Sequence, residues 1–360
     1  MVGGKIHMKR QAIIIAGYYG FGNAGDELIL RALVERYRRQ DPASPLIVFS
    51  ASPEKTATAF NVQAVNRWNP FAWVGPMLKA KLFVLGGGGL LQESTGSMNH
   101  FYYLSLIHIA KFLGCKTETV GLGIDPIRGA FNRWLTGWTF NYSLDRIQVR
   151  DKASMRVLRA SGVDRSVDIQ PDLVFDLSVP QGKPDATRIA FALAPWRGRT
   201  GWDQDLGFFC RELSQKLEIP IDLLPFFPEQ DVPLAEKVRV QAKCELGLRI
   251  WEKPEDLLSW IPEYGLIIGM RFHALVLAAK ANVAYVGWGN QCKVRQFCVD
   301  QTQPFWDFDR GWSSESVIRQ IIDAWNRRAQ ATKPKSTGPT VLVQTGRPSS
   351  TNVLYSARTH

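Results

Sequence analysis

The chain has 360 residues, 45% of them hydrophobic, and a formal net charge of +11. That supplies apolar material for two ordinary cores and excludes a chain of disordered composition. Five cysteines without a Cys-x-x-Cys pair exclude a zinc or disulfide framework, and the absence of any run of 18 apolar residues excludes a spanning helix.

The first predicted strand, Ala12–Ala16, feeds into Gly17, Gly20, Gly22 and Gly25, and an apolar helical pattern follows over 28–39. Glycines after a strand let a ligand approach the backbone, and the next helix N-terminus favours an anion or hydroxyl-rich group. Gly20, Gly22 and Gly25 also spell the dinucleotide fingerprint, but the second strand, 46–49, runs into Ser50 rather than an acid. Tyr18, Tyr19, Phe21, Asn23 and Asp26 add groups that a pyrophosphate turn does not need. The plain alternative is that Asn23 or Asp26 only caps the helix. Arg31, Arg36, Arg38 and Arg39 read as a solvated helix face, since no nucleic-acid module accompanies them.

Strand 82–85 then ends in Gly86 to Gly89, with Gln92 and Glu93 beyond, and helix 100–113 follows. Strand 119–122, a helix over 129–142, strand 146–149 and helix 151–161 continue the alternation of a parallel sheet. Arg150 stands at a strand end, whereas Asp151 reads as a helix cap. Trp68, Trp73, Trp134 and Trp138 lie among basic and apolar neighbours, where packing is the first expectation and contact with a membrane interface the second.

A Pro-, Gly- and Lys-rich break at 178–187 precedes a second series: strand 189–194, helix 202–217, strand 221–224, helix 232–243, strand 266–269, helix 272–281 and strand 284–286. The expected architecture is α/β, with two Rossmann-like domains at 1–178 and 179–329 facing across a cleft, and a disordered tail over 330–360. Arg271 and His273 directly follow the strand ending at Gly269, and Lys293 is placed in another strand-end loop. Arg captures carboxylate or phosphate in a bidentate grip, His moves a proton near neutral pH, and Lys adds a point charge.

The segments 17–27, 86–92, 149–151, 224–226 and 269–274 together resemble the polysaccharide pyruvyltransferase family, most closely its CsaB-like branch, over roughly residues 12–327. The resemblance implies a fold like that of GT-B glycosyltransferases, with transfer of a pyruvyl group from phosphoenolpyruvate to a sugar and release of phosphate. It assigns Arg150, Arg271, His273 and Lys293 to the donor, with His273, Arg271 and Asp26 catalytic. Tyr18, Tyr19, Phe21, Asn23, Asp26, Gly87, Gly88 and Gln92 then fall on the acceptor side. It calls for no metal or redox cofactor. The acceptor it suggests is a hexose such as N-acetylmannosamine in a cell-envelope glycan or its lipid-linked precursor on the cytosolic face. The basic charge and the tryptophans suit a membrane-surface substrate, so peripheral membrane contact is expected and nucleic acid is not.

Two segments depart from the family pattern. Ala194 stands where relatives carry Arg, with Arg197 or Arg199 as substitutes, and Asn290-Gln291-Cys292-Lys293 replaces Tyr-Asp-Pro-Lys. The rival functions are glycosyl transfer from a nucleotide sugar, with Glu252 or Glu255 on the ribose, and a non-catalytic sugar- or anion-binding role.

Overall fold

The computed structural model describes residues 10–91, 97–182, 186–196, 198–308 and 313–331. The first domain runs β1 (Ala12–Ala16), α1 (Ala24–Gln40), β2 (Leu46–Ser50), α2 (Pro53–Phe60), β3 (Gln63–Asn66), α3 (Pro70–Lys79) and β4 (Ala80–Leu91). It continues with α4 (Ser97–Phe112), β5 (Lys116–Ile124), α5 (Ala130–Tyr142), β6 (Gln148–Val149), α6 (Lys152–Ala160) and β7 (Asp168–Ile169). The seven strands are parallel, in the order β3-β2-β1-β4-β5-β6-β7. β1 reads Ala-Ile-Ile-Ile-Ala because it is central and buried on both faces.

In the second domain β8 (Ile189–Ala192), α7 (Trp202–Leu217), β9 (Ile221–Leu223), α8 (Pro228–Ala242), β10 (Gly247–Leu248) and α9 (Asp256–Trp260) come first. β11 (Leu266–Gly269), α10 (Phe272–Lys280), β12 (Ala284–Gly289), α11 (Cys292–Asp300), β13 (Phe305–Asp307) and α12 (Ser314–Ala331) complete it. Its parallel order is β10-β9-β8-β11-β12-β13. The chain is therefore two parallel-sheet α/β domains. In each sheet the order reverses beside the first strand, between β1 and β4 and between β8 and β11, and open α/β sheets bind ligands outside such switch points.

Helices α3 to α6 pack one face of the first sheet around Trp73, Met77, Leu104, Phe140 and Leu158. On the other face, α1 joins a core that crosses into the second domain, where Leu28, Ile29 and Leu33 share an apolar cluster with Leu173, Leu275 and Val276. This contact sets the two switch points against each other.

The glycine run is the main correction to the expected elements. Strand β4 does not stop at Leu85 but pairs through Gly86, Gly88 and Gly89 with Val120, Leu122 and Gly123 of β5. The missing side chains make room for α1: a Cβ at Gly86 would overlap Leu33, and one at Gly87 would press on Ile29. At the other end of the chain, the helix before the expected tail reaches Ala331, and residues 332–360 lie outside the described residues.

Candidate functional site

A cleft of about 960 Å³ opens between the two switch points, with both domains in its walls. From the first domain come Tyr18, Phe21, Asn23, Asp26, Gly89 and Arg150; Phe226, Arg271, His273, Gln291 and Lys293 come from the second. Thus Asp26, Arg150, Arg271, His273 and Lys293, separated by up to 267 positions, share one cavity.

The loop after β1 builds the first wall. Asn23 is the N-cap of α1 and accepts from the Gly25 amide at 3.1 Å, so the capping reading holds for it even as it lines the cleft. Asp26 sits in the first helical turn, next to the Gly88 backbone. A Cβ at Gly88 would come within 2.8 Å of its Oδ1, and the glycine's φ is +84°. Burial raises the Asp26 pKa although His273, Lys293 and Arg150 all favour its charged form.

His273, in the first turn of α10, reaches across and lies against the backbone of Gly25, where any Cβ would overlap its ring. Its Nε2 stands 3.5 Å from Oδ2 of Asp172, an ion pair whenever the imidazole is protonated. Burial works to raise the Asp172 pKa, yet His273 and Arg150 outweigh it and hold this carboxyl below the usual range. Asp172 is itself fixed by accepting from the Val174 amide at 3.1 Å.

The cations differ in how they are held. Arg150 donates from Nε to Asp151 at 3.0 Å, and its guanidinium lies 4.4 Å from the centre of the Phe272 ring, with the Gly123 backbone close to its Cζ. Among the described residues its terminal nitrogens take no protein hydrogen bond. Arg271 pairs through two nitrogens with the buried Asp231, which also accepts from the amides of Phe226 and Phe227 at 3.1 and 2.9 Å. Lys293 makes no hydrogen bond or ion pair among the described residues. Burial, then Arg150, lowers its pKa against the pull of Asp26 and Asp125. It stands in the first turn of α11, not in a loop, because that helix begins at Cys292.

Two acceptor-side residues, Tyr19 and Gly87, lie elsewhere than expected. Tyr19 is fully buried and donates to the Gly86 carbonyl at 3.2 Å, so its ring packs rather than faces the cleft. Gly87 packs under Ile29 and Leu173, while Gln92 lies outside the described residues. Tyr18 and Phe21 do line the cleft, stacked at 4.0 Å. Of the proposed substitutes for an arginine at 194, Arg197 lies outside the described residues and Arg199 is tied to Asp205.

Sequence reasoning missed Arg67, Asp172 and Asp231. Arg67 is 1% exposed, donates to the Gly17 carbonyl at 2.7 Å and to Tyr103 Oη at 3.2 Å, and faces the rings of Tyr18, Phe21, Trp68 and Tyr102. It follows β3 directly, so the strand-end rule that picked out Arg150 finds it once that strand is seen. Glu252 and Glu255 line a different cavity, of about 570 Å³, and Glu255 is paired with Arg31.

Among solved structures, the Staphylococcus aureus MnaA–UDP complex matches with a TM-score of 0.59 at 11% identity, over 89% of this chain and 90% of that one. The UDP-GlcNAc 2-epimerase of Neisseria meningitidis bound to UDP-GlcNAc gives 0.58 at 10%, over 88% and 94%. The MurG of Acinetobacter baumannii gives 0.52 at 13%, over 89% and 93%. These likenesses establish the scaffold, two facing α/β domains of the GT-B type. No curated protein sequence matches the chain. One family model, described as polysaccharide pyruvyl transferase, matches residues 23–287.

Proposed function

The chain belongs to the polysaccharide pyruvyl transferase family, and from that premise we propose that it moves a pyruvyl group from phosphoenolpyruvate onto two hydroxyls of a hexose, forming a ketal and releasing phosphate. The observation that carries this reading is the cation set of the cleft. Lys293 has no carboxylate partner among the described residues, and the terminal nitrogens of Arg150 are open toward the same space. A small trianion needs such charges at short range, and a partly desolvated site strengthens each of them.

In this reading Arg150 and Arg271 hold the carboxylate and phosphate, and Asp231 keeps the Arg271 guanidinium in one plane. Lys293 neutralises the phosphate as the C2–O bond to it breaks. His273 delivers a proton to the methylene carbon, which becomes the methyl group of the ketal. Asp26, whose pKa is raised by burial, takes a hydroxyl proton as the sugar oxygen attacks C2. Two hydroxyl protons are released in all, one ending on the methyl carbon and the other on the departing phosphate. Tyr18, Phe21 and Asn23 line the acceptor side. A lipid-linked envelope glycan containing N-acetylmannosamine, modified at the cytosolic face by a CsaB-like member, is the acceptor we favour.

Calorimetry with phosphoenolpyruvate tests the donor, run with and without a lipid-linked glycan and against Lys293→Met. We expect saturable binding that weakens at least about tenfold in the variant, the loss of one close charge pair. Binding of a UDP-sugar without phosphoenolpyruvate would move the chain to glycosyl transfer; the Staphylococcus aureus MnaA structure, on the same scaffold, is solved with UDP. Glu252 and Glu255, the acids considered for a ribose, line the other cavity and weigh against that alternative. Donor binding without turnover on any glycan would leave a binding protein.

A further inference from the structure

Ten of the fifteen large hydrophobic side chains exposed among the described residues lie between Trp68 and Tyr142. They sit on or beside α3, α4 and α5, the helices that cover one face of the first sheet. Phe131, Trp134, Trp138 and Tyr142 recur at helical spacing and form one outward stripe on α5. Their rings follow one another at 5.7, 6.5 and 6.4 Å, and Phe101 links α4 to the stripe at 6.1 Å from Phe131. Phe71 on α3 is 91% exposed and Met98 on α4 is 82% exposed. Of the four tryptophans for which packing was expected, only Trp73 is buried.

The charges carried by these three helices have one sign. Helices α3, α4 and α5 contain no Asp or Glu, and their charged residues are Lys79, Lys111 and Arg133. The layer is also continuous with the cleft, because Trp68 and Met98 belong to both. Tryptophan and tyrosine, with an apolar ring and one polar hydrogen, suit the boundary between headgroups and acyl chains. Asp145, just beyond α5, pairs with Lys111, which leaves Lys79 and Arg133 on these acid-free helices, in a chain of net charge +11, to complement anionic headgroups.

We propose that the outward face of α3, α4 and α5 seats the protein on an anionic phospholipid surface, with the mouth of the cleft at the bilayer. No described helix is long and apolar enough to cross a membrane, so the attachment is peripheral. The proposal does not depend on the identity of the donor.

Sedimentation of the full chain with phosphatidylcholine vesicles, with and without phosphatidylglycerol, tests it. A Phe131→Ser/Trp134→Ser/Trp138→Ser variant is compared with Phe208→Ser, a substitution of an exposed aromatic in the second domain. The expected result is binding to the anionic vesicles, weakened by salt, reduced about tenfold or more in the triple variant and unchanged in Phe208→Ser. Circular dichroism establishes that the triple variant is folded, and blue-shifted tryptophan emission on vesicles, lost in that variant, places the stripe in the interface. Failure of the wild type to bind, or equal binding by the triple variant, overturns the proposal. So does a dimer in sedimentation velocity that the triple variant abolishes, which would assign the face to a second copy.

Discussion

Gly25 is where the two domains meet at the atomic scale, because the ring of His273 occupies the space a side chain would need. Gly25→Ala is expected to lose ketal formation at least about tenfold, since overpacking of this kind costs about 1–3 kcal/mol and falls on a proposed catalytic group. Ketal formation and Tm measured on one preparation check it. At Gly22 nothing lies within 4 Å of the added methyl, so Gly22→Ala carries only the strain of its φ of +74°. Glu27 is legible in a different way. Burial pushes its carboxyl up to about 7, against the lowering effect of the Gly20 amide that it accepts from at 2.8 Å. Between about pH 4.5 and 7 the folded state holds a proton that the unfolded state has lost. Stability contributed by this group therefore falls as pH rises through that window, by up to about 3 kcal/mol. Glu27→Gln keeps an oxygen for Gly20 and should flatten the decline in urea-derived stability over that pH range. An unchanged slope would show that another group titrates there. Arg271 and His273 were readable because they follow the apolar run of β11, and Arg150 because it closes the expected strand 146–149. Asp231 was not, since its meaning depends on an arginine 40 positions away.

At the scale of elements, the short edge strands escaped the sequence. β7 and β10 have two residues each, too few for a period, and β3 reads Gln-Ala-Val-Asn at a sheet edge. Missing β3 also hid Arg67, the strand-end cation beneath the aromatic wall. Helix α1 begins at Ala24, four residues before its apolar pattern, because Asn23 supplies the cap. Helix packing yields a prediction that propensity alone would reverse. Glycine inside a helix is about 1 kcal/mol worse than alanine, so Gly137→Ala in α5 should stabilise on that ground. Yet the added methyl would overlap the carbonyl of Ser161, just beyond α6. We expect Tm to fall by several degrees, as α5 and α6 are forced apart. A rise in Tm would mean that the two helices separate at little cost.

For the whole molecule, the apolar contact between domains decides how it unfolds. The cluster shared by α1, the turn Leu173–Asp176 and α10 is continuous, and the amide of Ala24 donates to the carbonyl of Phe226 across the boundary at 2.8 Å. The sequence announced two α/β units but not this continuity, because the residues that form it look like ordinary helix-core positions in each half. The Arg31–Glu255 pair also bridges the domains, with side chains about a quarter exposed (25% and 29%). Solvent screening limits such a pair to about 1 kcal/mol or less. Coupling must therefore come from the buried apolar surface rather than from the charges on its rim. Two outcomes follow for thermal unfolding watched by far-UV circular dichroism and tryptophan emission. The wild type should show one transition at which both probes coincide, and Arg31→Met should keep it single with only a small loss in Tm. Two separated transitions in the wild type would show that the domains melt independently. The shared cluster would then be a contact between finished units rather than a common core.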